Sequence, residues 1–195
     1  MTAQDATRPR RADARRNRER VLAAARETFA ADGPDASLNE IARRAGVGPG
    51  TLYRHFPTRG ALQAAVITDR VARLRARADE LVAAASPGDA LAAWIEVFLA
   101  HARSDHGLGG AVLTEPVETG VDCHAAVHEA ARTVLGHAQR AGAARPDAHA
   151  ADLVRLVTGI ALSAGPGDPD PAQTARLLGL VMDALRPPSG REGSG

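Results

Sequence analysis

The sequence predicts an all-α protein of about nine helices. Apolar residues make up 45% of its 195 residues, but aromatic residues only 3%. Alanine and leucine dominate the apolar set, and both lose little side-chain entropy in a helix. Valine, isoleucine, tyrosine and phenylalanine do not cluster at alternating positions, so β-strands have almost no support. A chain of this length can bury a sizeable core in one or two small domains.

The N-terminal part predicts a polar arm followed by a helix. Residues 1–14 are basic and contain few bulky apolar side chains, a composition typical of a flexible arm. A first helix is predicted over about 15–31, because apolar residues recur at helical spacing between Val21 and Phe29. The Asp-Gly-Pro sequence at 32–34 ends this helix.

Two short helices are predicted next, joined by a glycine turn. Ser37 and Glu40 have the spacing of a capping box, in which Ser37 is the N-cap of the first short helix. Gly46 stands where a left-handed residue ends that helix, because glycine adopts positive φ at little cost. Pro49 opens the second short helix, since proline at the first helical position loses no hydrogen bond, and Pro57 ends it.

The rest of the chain predicts further helices, separated by breakers rich in glycine and proline. Thr58 is the predicted cap of the first of them, a long helix. These helices cover about 58–85, 89–104, a short segment within 105–120, and then 121–141, 147–163 and 171–185. We expect an N-terminal domain at 15–60, a C-terminal domain at 61–186 and a disordered tail at 187–195.

Charge is distributed unevenly between the two predicted domains. Residues 1–60 carry 12 arginines and 7 acidic residues, a net charge of +5, whereas residues 61–195 have a net charge of −4. A basic region joined to a mildly acidic remainder predicts a polyanionic partner for the N-terminal part. The arginines that precede Val21 either contact a minor groove and phosphates or only solvate the arm, and both interpretations stay open.

The segment 37–56 has the pattern of a helix-turn-helix within this basic region. The sequences LNEIARRAGV at 38–47 and VGPGTLYRHFPTR at 47–59 resemble the first helix and the recognition region of the tetracycline-repressor (TetR) family. The resemblance implies a sequence-specific DNA-binding transcriptional regulator, a repressor that a small-molecule effector releases from its operator. One position departs from the family pattern: Gly60 replaces the acidic residue that usually stands near the start of the fourth helix.

Phosphate contacts are predicted from side chains of the second short helix. Tyr53 and His55 resemble the phosphate clamp of the family, because a phenol O–H and an imidazole N–H each donate to a phosphate oxygen. A buried core position is the alternative for Tyr53. Thr51, Ser37 and Arg59 are predicted to add phosphate contacts near helix starts. Beneath these residues, five apolar side chains have the spacing of a small core: Leu38, Ile41, Val47, Leu52 and Phe56.

Base contacts are predicted from fewer side chains. Asn39 has donors and acceptors suited to adenine, and Arg54 has donors suited to guanine. The alternative for Arg54 is a solvated surface charge. Pro49 and Gly50 allow a close approach to the bases. The predicted DNA-binding residues are therefore Ser37, Asn39, Pro49, Gly50, Thr51, Tyr53, Arg54, His55 and Arg59.

The last two predicted helices are apolar on more than one face, so they need cover on both sides. One side can meet the core of the same chain, and the other predicts a twofold partner. We expect a homodimer through a four-helix bundle, which would place two helix-turn-helix motifs on a pseudo-palindromic operator of double-stranded DNA. The predicted interface residues are Leu153, Val157, Ile160, Leu178, Val181 and Leu185.

Beyond residue 60 the resemblance is looser. Residues 91–98 and 145–185 resemble one actinobacterial type of TetR C-terminal domain, which implies an effector pocket between the fourth and eighth helices. An ordinary core position is the alternative for Trp94 and Phe98. The sequence does not indicate the chemical identity of the effector. The candidate ligand-binding residues are Trp94, Phe98, Leu113, Val117 and His128.

Other classes of function have less support. Cys123 and His124 are adjacent, so their side chains diverge on a helix, which is poor geometry for a nucleophile and its base. Phosphate-binding glycine loops and Gly-x-Ser-x-Gly turns are missing from the sequence, so we predict no enzyme and no cofactor. His124 and His128 have i,i+4 spacing without a clear third ligand. No metal site is therefore predicted, but a metal-responsive regulator and a regulator without an effector stay as alternatives.

The cellular compartment is predicted from cysteine usage and hydropathy. A single cysteine precludes an internal disulfide and fits a reducing compartment. The N-terminus lacks the apolar stretch of a signal peptide, and no run of 18 apolar residues occurs. We therefore expect a cytoplasmic protein that does not associate with a membrane.

Overall fold

The structure, a computed structural model, describes residues 7–106, 122–163 and 170–187. Within these ranges the chain is α-helical and contains no β-strand, which confirms the all-α prediction. The helices are α1 (Thr7–Asp32), α2 (Leu38–Arg44), α3 (Pro49–His55), α4 (Arg59–Ala84), α5 (Pro87–His106), α6 (Cys123–Arg140), α7 (Ala150–Ser163) and α8 (Pro171–Leu185).

The described residues form two compact units. The first contains α1, α2, α3, the beginning of α4 as far as Asp69 and the last turn of α5 from Ser104. The second contains α4 from Arg70 onward, α5 as far as Arg103, and α6, α7 and α8. The division therefore falls within α4, later than the predicted domain boundary after residue 60.

The predicted arm at 1–14 is partly wrong, because α1 begins at Thr7 and residues 7–14 are helical. Arginine and alanine are strong helix formers. Arg16 pairs with Asp13, and Arg15 lies 3.5 Å from Glu19, so pairs at i,i+3 and i,i+4 add support. Local propensity thus extends the helix through a segment whose composition alone is typical of an arm.

Two other predictions fall largely outside the described residues. The predicted short helix within 105–120 overlaps them only at the end of α5, which continues to His106. The predicted disordered tail at 187–195 overlaps them only at Pro187.

The core of the first unit is formed by α1 packed on α2, α3 and the start of α4. Phe29 and Ile41 have no exposed surface, and Leu52 is 1% exposed. The half-buried ion pair between Arg26 and Asp69 joins α1 to α4. Apolar residues buried in this unit include Val21, Leu22, Ala25, Phe29, Ile41, Ala42, Leu52, Phe56, Leu62 and Val66.

The core of the second unit centres on an aromatic stack. Trp94 has no exposed surface, and its ring stacks on Phe98 with centroids 5.3 Å apart and an interplanar angle of 14°. The indole Nε1 donates to the backbone carbonyl of Leu74 in α4 at 3.3 Å, so its polar atom is satisfied. On α6, small side chains such as Ala131 and Ala138 are fully buried, which allows close packing of the helix.

The C-terminus of α6 has the turn that glycine favours. Gly142 has φ of +69° and donates its N–H to the carbonyl of Gln139 at 3.0 Å. Ala143 donates to the carbonyl of Ala138 at 2.8 Å. These two bonds form a Schellman motif, which satisfies carbonyl groups that the helix end would leave unpaired.

Across the described ranges, none of the helices combines the length and the apolar character that a membrane crossing requires.

Candidate nucleic-acid interface

The start of α2 is fixed by half of the predicted capping box. The Ser37 Oγ accepts a hydrogen bond from the Glu40 N–H at 3.4 Å. The Glu40 carboxylate does not return to Ser37; it accepts from Arg43 at 2.7 and 2.8 Å and from Arg44 at 2.8 Å. These bonds, that from Arg43 foremost, lower the pKa of Glu40 to about 2. The carboxylate thus neutralises charge on two neighbouring arginines.

The turn between α2 and α3 is a Schellman motif, as the position of Gly46 predicts. Gly46 has φ of +62°, its N–H donates to the Arg43 carbonyl at 3.0 Å, and Val47 donates to Ala42 at 3.0 Å. The Arg20 Nη2 donates to the Gly46 carbonyl at 2.8 Å. A Cβ atom at Gly46 would lie 2.4 Å from that nitrogen. The backbone angle therefore favours glycine, and an added Cβ would also displace the guanidinium from the carbonyl.

Helix α3 buries one face and exposes the other. Gly48 is its N-cap and Pro49 occupies the first turn, as predicted. Leu52 and Phe56 are 1% and 3% exposed and anchor the helix on the core. Tyr53 is 46% exposed, which rules out the alternative of a buried core tyrosine.

The nine predicted DNA-binding residues all reach the surface to some degree. Six of them are exposed: Ser37, Asn39, Pro49, Gly50, Tyr53 and Arg54. Three are half-buried: Thr51, His55 and Arg59. On α3, the Arg54 Nη2 donates to the Thr51 Oγ1 at 3.1 Å. This bond leaves other donors of the same guanidinium available, because arginine carries five N–H groups.

Arg59 has a structural role that the sequence did not indicate. Its Nη1 donates to the backbone carbonyls of Pro34, at 3.1 Å, and Ala36. Gln63 donates to the same Pro34 carbonyl at 2.9 Å. The start of α4 is thus tied to the loop between α1 and α2. A Cβ atom at Gly60 would meet nothing nearer than 4.0 Å, so space does not explain why glycine replaces an acidic residue there.

Two arginines of α1 contact the helix-turn-helix although sequence reasoning placed them with the arm. Arg20 donates to the Gly46 carbonyl, as described above, and the Arg18 guanidinium lies 5.5 Å from the centre of the Phe56 ring. The second distance is typical of a cation–π contact. No periodicity in the sequence marks such contacts, because both depend on the crossing of α1 over the turn.

Of the five candidate ligand-binding residues, the structure describes Trp94, Phe98 and His128. Trp94 and Phe98 stack in the core of the second unit. His128 is half-buried and lines a separate groove of about 330 Å³ beside α6 and the start of α7, together with Arg132 and His149. Leu113 and Val117 lie outside the described residues.

Most of the predicted dimer-interface residues lie in the core of their own chain. The structure buries four of the six residues in the core of the same chain: Leu153, Val157, Val181 and Leu185. Ile160 and Leu178 are half-buried. The large apolar side chains that stay exposed on α7 and α8 are Leu156 at 52%, Leu162 at 49% and Leu180 at 65%. Because both helices are apolar nearly all round, periodicity could not decide which stripe faces inward.

His124 and His128 do lie side by side on α6, as their spacing predicts. Their Nε2 atoms are 3.3 Å apart and their ring centroids 4.4 Å apart. Within the described part of the chain, no group of three or more His, Cys, Asp or Glu side chains is placed to hold a metal ion.

Two family models match this chain. The model of bacterial regulatory proteins of the tetR family matches residues 21–66, which contain α2 and α3. The model of the C-terminal domain of SbtR-like transcriptional regulators matches residues 86–187, more than half of the chain.

Solved structures of whole regulators resemble the chain over most of its length. The TetR transcriptional regulator SCO0520 from Streptomyces coelicolor is 39% identical with a TM-score of 0.78, and the alignment covers 88% of this chain and 99% of that one. A TetR transcription regulatory protein from Mycobacterium vanbaalenii is 40% identical with a TM-score of 0.74, over 90% and 98% of the two chains.

A curated relative matches over a shorter stretch of the chain. The uncharacterized HTH-type transcriptional regulator TtgW of Pseudomonas putida is 45% identical over 60 residues, which are 30% of this chain and 45% of that relative. The match thus spans less than half of the relative's length.

Proposed function

The chain belongs to the TetR family of bacterial regulatory proteins, and we propose that it is a repressor that a small-molecule effector releases from its operator. As a member of this family it is a DNA-binding transcriptional regulator. The proposal adds an operator of pseudo-palindromic double-stranded DNA, a homodimer, an unidentified effector and action in the cytoplasm, where the operator is accessible.

The observation that carries the proposal is the exposed face of α3. Tyr53 and Arg54 face solvent on a helix whose opposite side, at Leu52 and Phe56, is anchored in the core. This arrangement presents hydrogen-bond donors to the major groove of DNA, while packing against the core holds the helix in place. Tyr53 and His55 position the protein on phosphates, and Arg54 and Asn39 read base edges.

Selection of bound sequences from a random DNA pool, followed by anisotropy titrations at several salt concentrations, tests these roles. Tyr53→Phe should weaken operator binding by about tenfold or more, because a hydrogen bond to a charged group contributes about 1.5–3 kcal/mol. Arg54→Ala should cost about 1–3 kcal/mol and relax specificity at one base pair. Arg77→Ala, an exposed arginine on α4, is the matched control. A uniform loss over all sequences with a smaller salt slope would instead assign Arg54 to phosphate.

The homodimer is supported by the uncovered apolar residues of α7 and α8. Leu156, Leu162 and Leu180 are partly covered already, so burying the rest of each side chain would contribute a part of the about 1.5–3 kcal/mol that full burial of a leucine provides. Gly159 and Gly179 are exposed, with nothing within 4 Å of an added Cβ, so a partner helix can approach closely. The proposed interface therefore contains Leu156, Leu162 and Leu180 instead of the four predicted residues that are buried in the core.

Sedimentation equilibrium of Leu180→Glu tests this face. The charged side chain should dissociate the dimer, because burying an unpaired carboxylate is costly. Ala83→Glu, at an exposed position of α4 in the same unit, should leave the dimer intact. A monomeric wild-type protein at micromolar concentration would contradict the proposal.

The proposal that an effector binds is supported by buried polar atoms of the second unit that lack hydrogen-bond partners. The Arg103 Nη2 donates to the Thr174 Oγ1 at 2.7 Å, but the Arg103 Nε and the Thr158 Oγ1 are buried without a partner. Buried polar groups are normally paired, so a polar ligand would satisfy them. Because α4 is one continuous helix that contributes to both units, a ligand that displaces it in the second unit also acts on the first.

Release of labelled operator by a broad library of small molecules tests the effector. An active compound should lower operator affinity by a coupling free energy of about 1–3 kcal/mol. Arg103→Met should weaken the response to a polar compound while operator affinity without the compound stays unchanged. Operator binding that no compound reduces would favour the alternative of a regulator without an effector.

A further inference from the structure

The histidine pair on α6 has a geometry that the proposed repressor function does not use. His124 is exposed and His128 half-buried, one helical turn apart. Their Nε2 atoms face each other at 3.3 Å, and the rings are tilted by 49°. Neither Nε2 has another protein partner among the described contacts. Two imidazole nitrogens thus lie close together on one face of the helix.

This separation matches the spacing of two ligands on one metal ion. Histidine nitrogens bind Zn²⁺ at about 2.0–2.1 Å in tetrahedral geometry, which places two such nitrogens about 3.3 Å apart. We propose that His124 and His128 form a two-histidine chelate for a divalent transition metal. Water completes the coordination, because no third protein ligand is in place in the described part of the chain.

No carboxylate of α6 is free to join the pair. Glu129, the single acidic residue of the helix, lies 3.3 Å from Arg75.

The donor set also determines which metals bind. Imidazole suits Cu²⁺, Ni²⁺ and Zn²⁺, whereas Mg²⁺ prefers oxygen ligands. For a fixed pair of nitrogens, affinity should rise from Co²⁺ to Ni²⁺ to Cu²⁺ and be lower again for Zn²⁺. The competing explanation for the short distance is a hydrogen bond between the two rings, which requires no metal.

Calorimetric titration of the full chain with NiCl₂ tests the proposal, with ZnCl₂, CuCl₂ and MgCl₂ as comparisons. We expect one Ni²⁺ per chain, and at least tenfold weaker binding in both His124→Ala and His128→Ala. His149→Ala, at an exposed histidine of the groove that His128 also lines, is the matched control and should bind like the wild type. Mg²⁺ should give no binding.

A thermal measurement separates loss of the site from loss of the fold. Ni²⁺ should raise the Tm of the wild type and of His149→Ala but not of either chelate variant, because a ligand stabilises only the state that binds it. The Tm of the variants without metal reports whether they remain folded. Ni²⁺ that fails to bind the wild type, or that binds both variants with unchanged affinity, would overturn the chelate in favour of the hydrogen bond between the rings.

Discussion

Different kinds of interaction stabilise the interior of each unit. In the first, guanidinium groups bond to backbone carbonyls at the turns: Arg20 to Gly46, and Arg59 to Pro34. In the second, the interior is mainly apolar and centres on the stack of Trp94 and Phe98. Directional bonds fix the angle of a recognition helix, whereas apolar packing is tolerant of small rearrangements. Four pairs of substitutions, described from the largest expected effect to the smallest, test this contrast.

Trp94→Ala should have the largest effect, because it empties the centre of the second core. Truncation of a large buried aromatic side chain costs about 3–5 kcal/mol. Trp94→Phe keeps most of the ring and removes the bond to the Leu74 carbonyl, so it should cost less than half as much. Urea denaturation followed by circular dichroism measures both. Equal losses in the two variants would show that the hydrogen bond, rather than the packing, stabilises this core.

Gly46→Ala and Gly142→Ala compare the same turn in the two units. Both glycines adopt positive φ, so each alanine should cost about 1–2 kcal/mol. Only the Cβ at position 46 meets another group, the Arg20 guanidinium, whose bond to the Gly46 carbonyl would be displaced at an additional cost of about 1 kcal/mol. Chemical denaturation of both variants gives the difference. A Gly142→Ala variant that is destabilised as much as Gly46→Ala would contradict a role for Arg20.

Ser37→Ala and Asp122→Ala compare helix caps. Each removes a side chain that accepts from the backbone, at 3.4 Å for Ser37 and 2.8 Å for Asp122. A cap contributes about 1 kcal/mol, and a short bond to a carboxylate is the stronger kind. Asp122→Ala should therefore lower the Tm more than Ser37→Ala. The reverse order would indicate that the short helix α2 depends on its cap more than α6 does.

Glu40→Gln and Asp147→Asn should have the smallest effects, present near neutral pH and lost in acid. Hydrogen bonds from Arg43 to Glu40 and from Arg145 to Asp147 lower both pKa values to about 2, from ordinary values of 4.5 and 3.8. A lowered pKa in the folded state stabilises the protein above the ordinary value, and this stabilisation is lost as pH falls towards 2. The Tm difference between wild type and each variant should thus shrink below about pH 4. A difference that is constant with pH would show that neither pair matters.

The first unit could be predicted from the sequence in more detail than the second. Ser37, Gly46 and Pro49 each have a residue-specific reason to stand at a helix end, and the structure places them there. Contacts over long sequence separation, such as that of Arg59 with Pro34, could not be predicted, because an arginine at a helix start has several partners of equal chemistry.

The second unit shows where periodicity stops being informative. Helix α7 has apolar residues around its circumference, so helical spacing could not decide whether Val157, the predicted interface residue, or Leu156 lies on the outer face. The three-dimensional packing buries Val157 completely and leaves Leu156 52% exposed. The positions of the neighbouring helices decide between Val157 and Leu156, and the sequence of α7 alone does not contain this information. The pairing of His124 with His128, by contrast, follows from helical spacing alone.

The single tryptophan and the single tyrosine supply a built-in optical readout. Trp94 belongs to the second unit, where it is fully shielded from water, and Tyr53 belongs to the first, where it is 46% exposed. Indole and phenol absorb and emit at different wavelengths, so each unit has its own spectroscopic signal without any added dye. Heating the unmodified protein while recording both signals would reveal whether the two units melt together or one after the other.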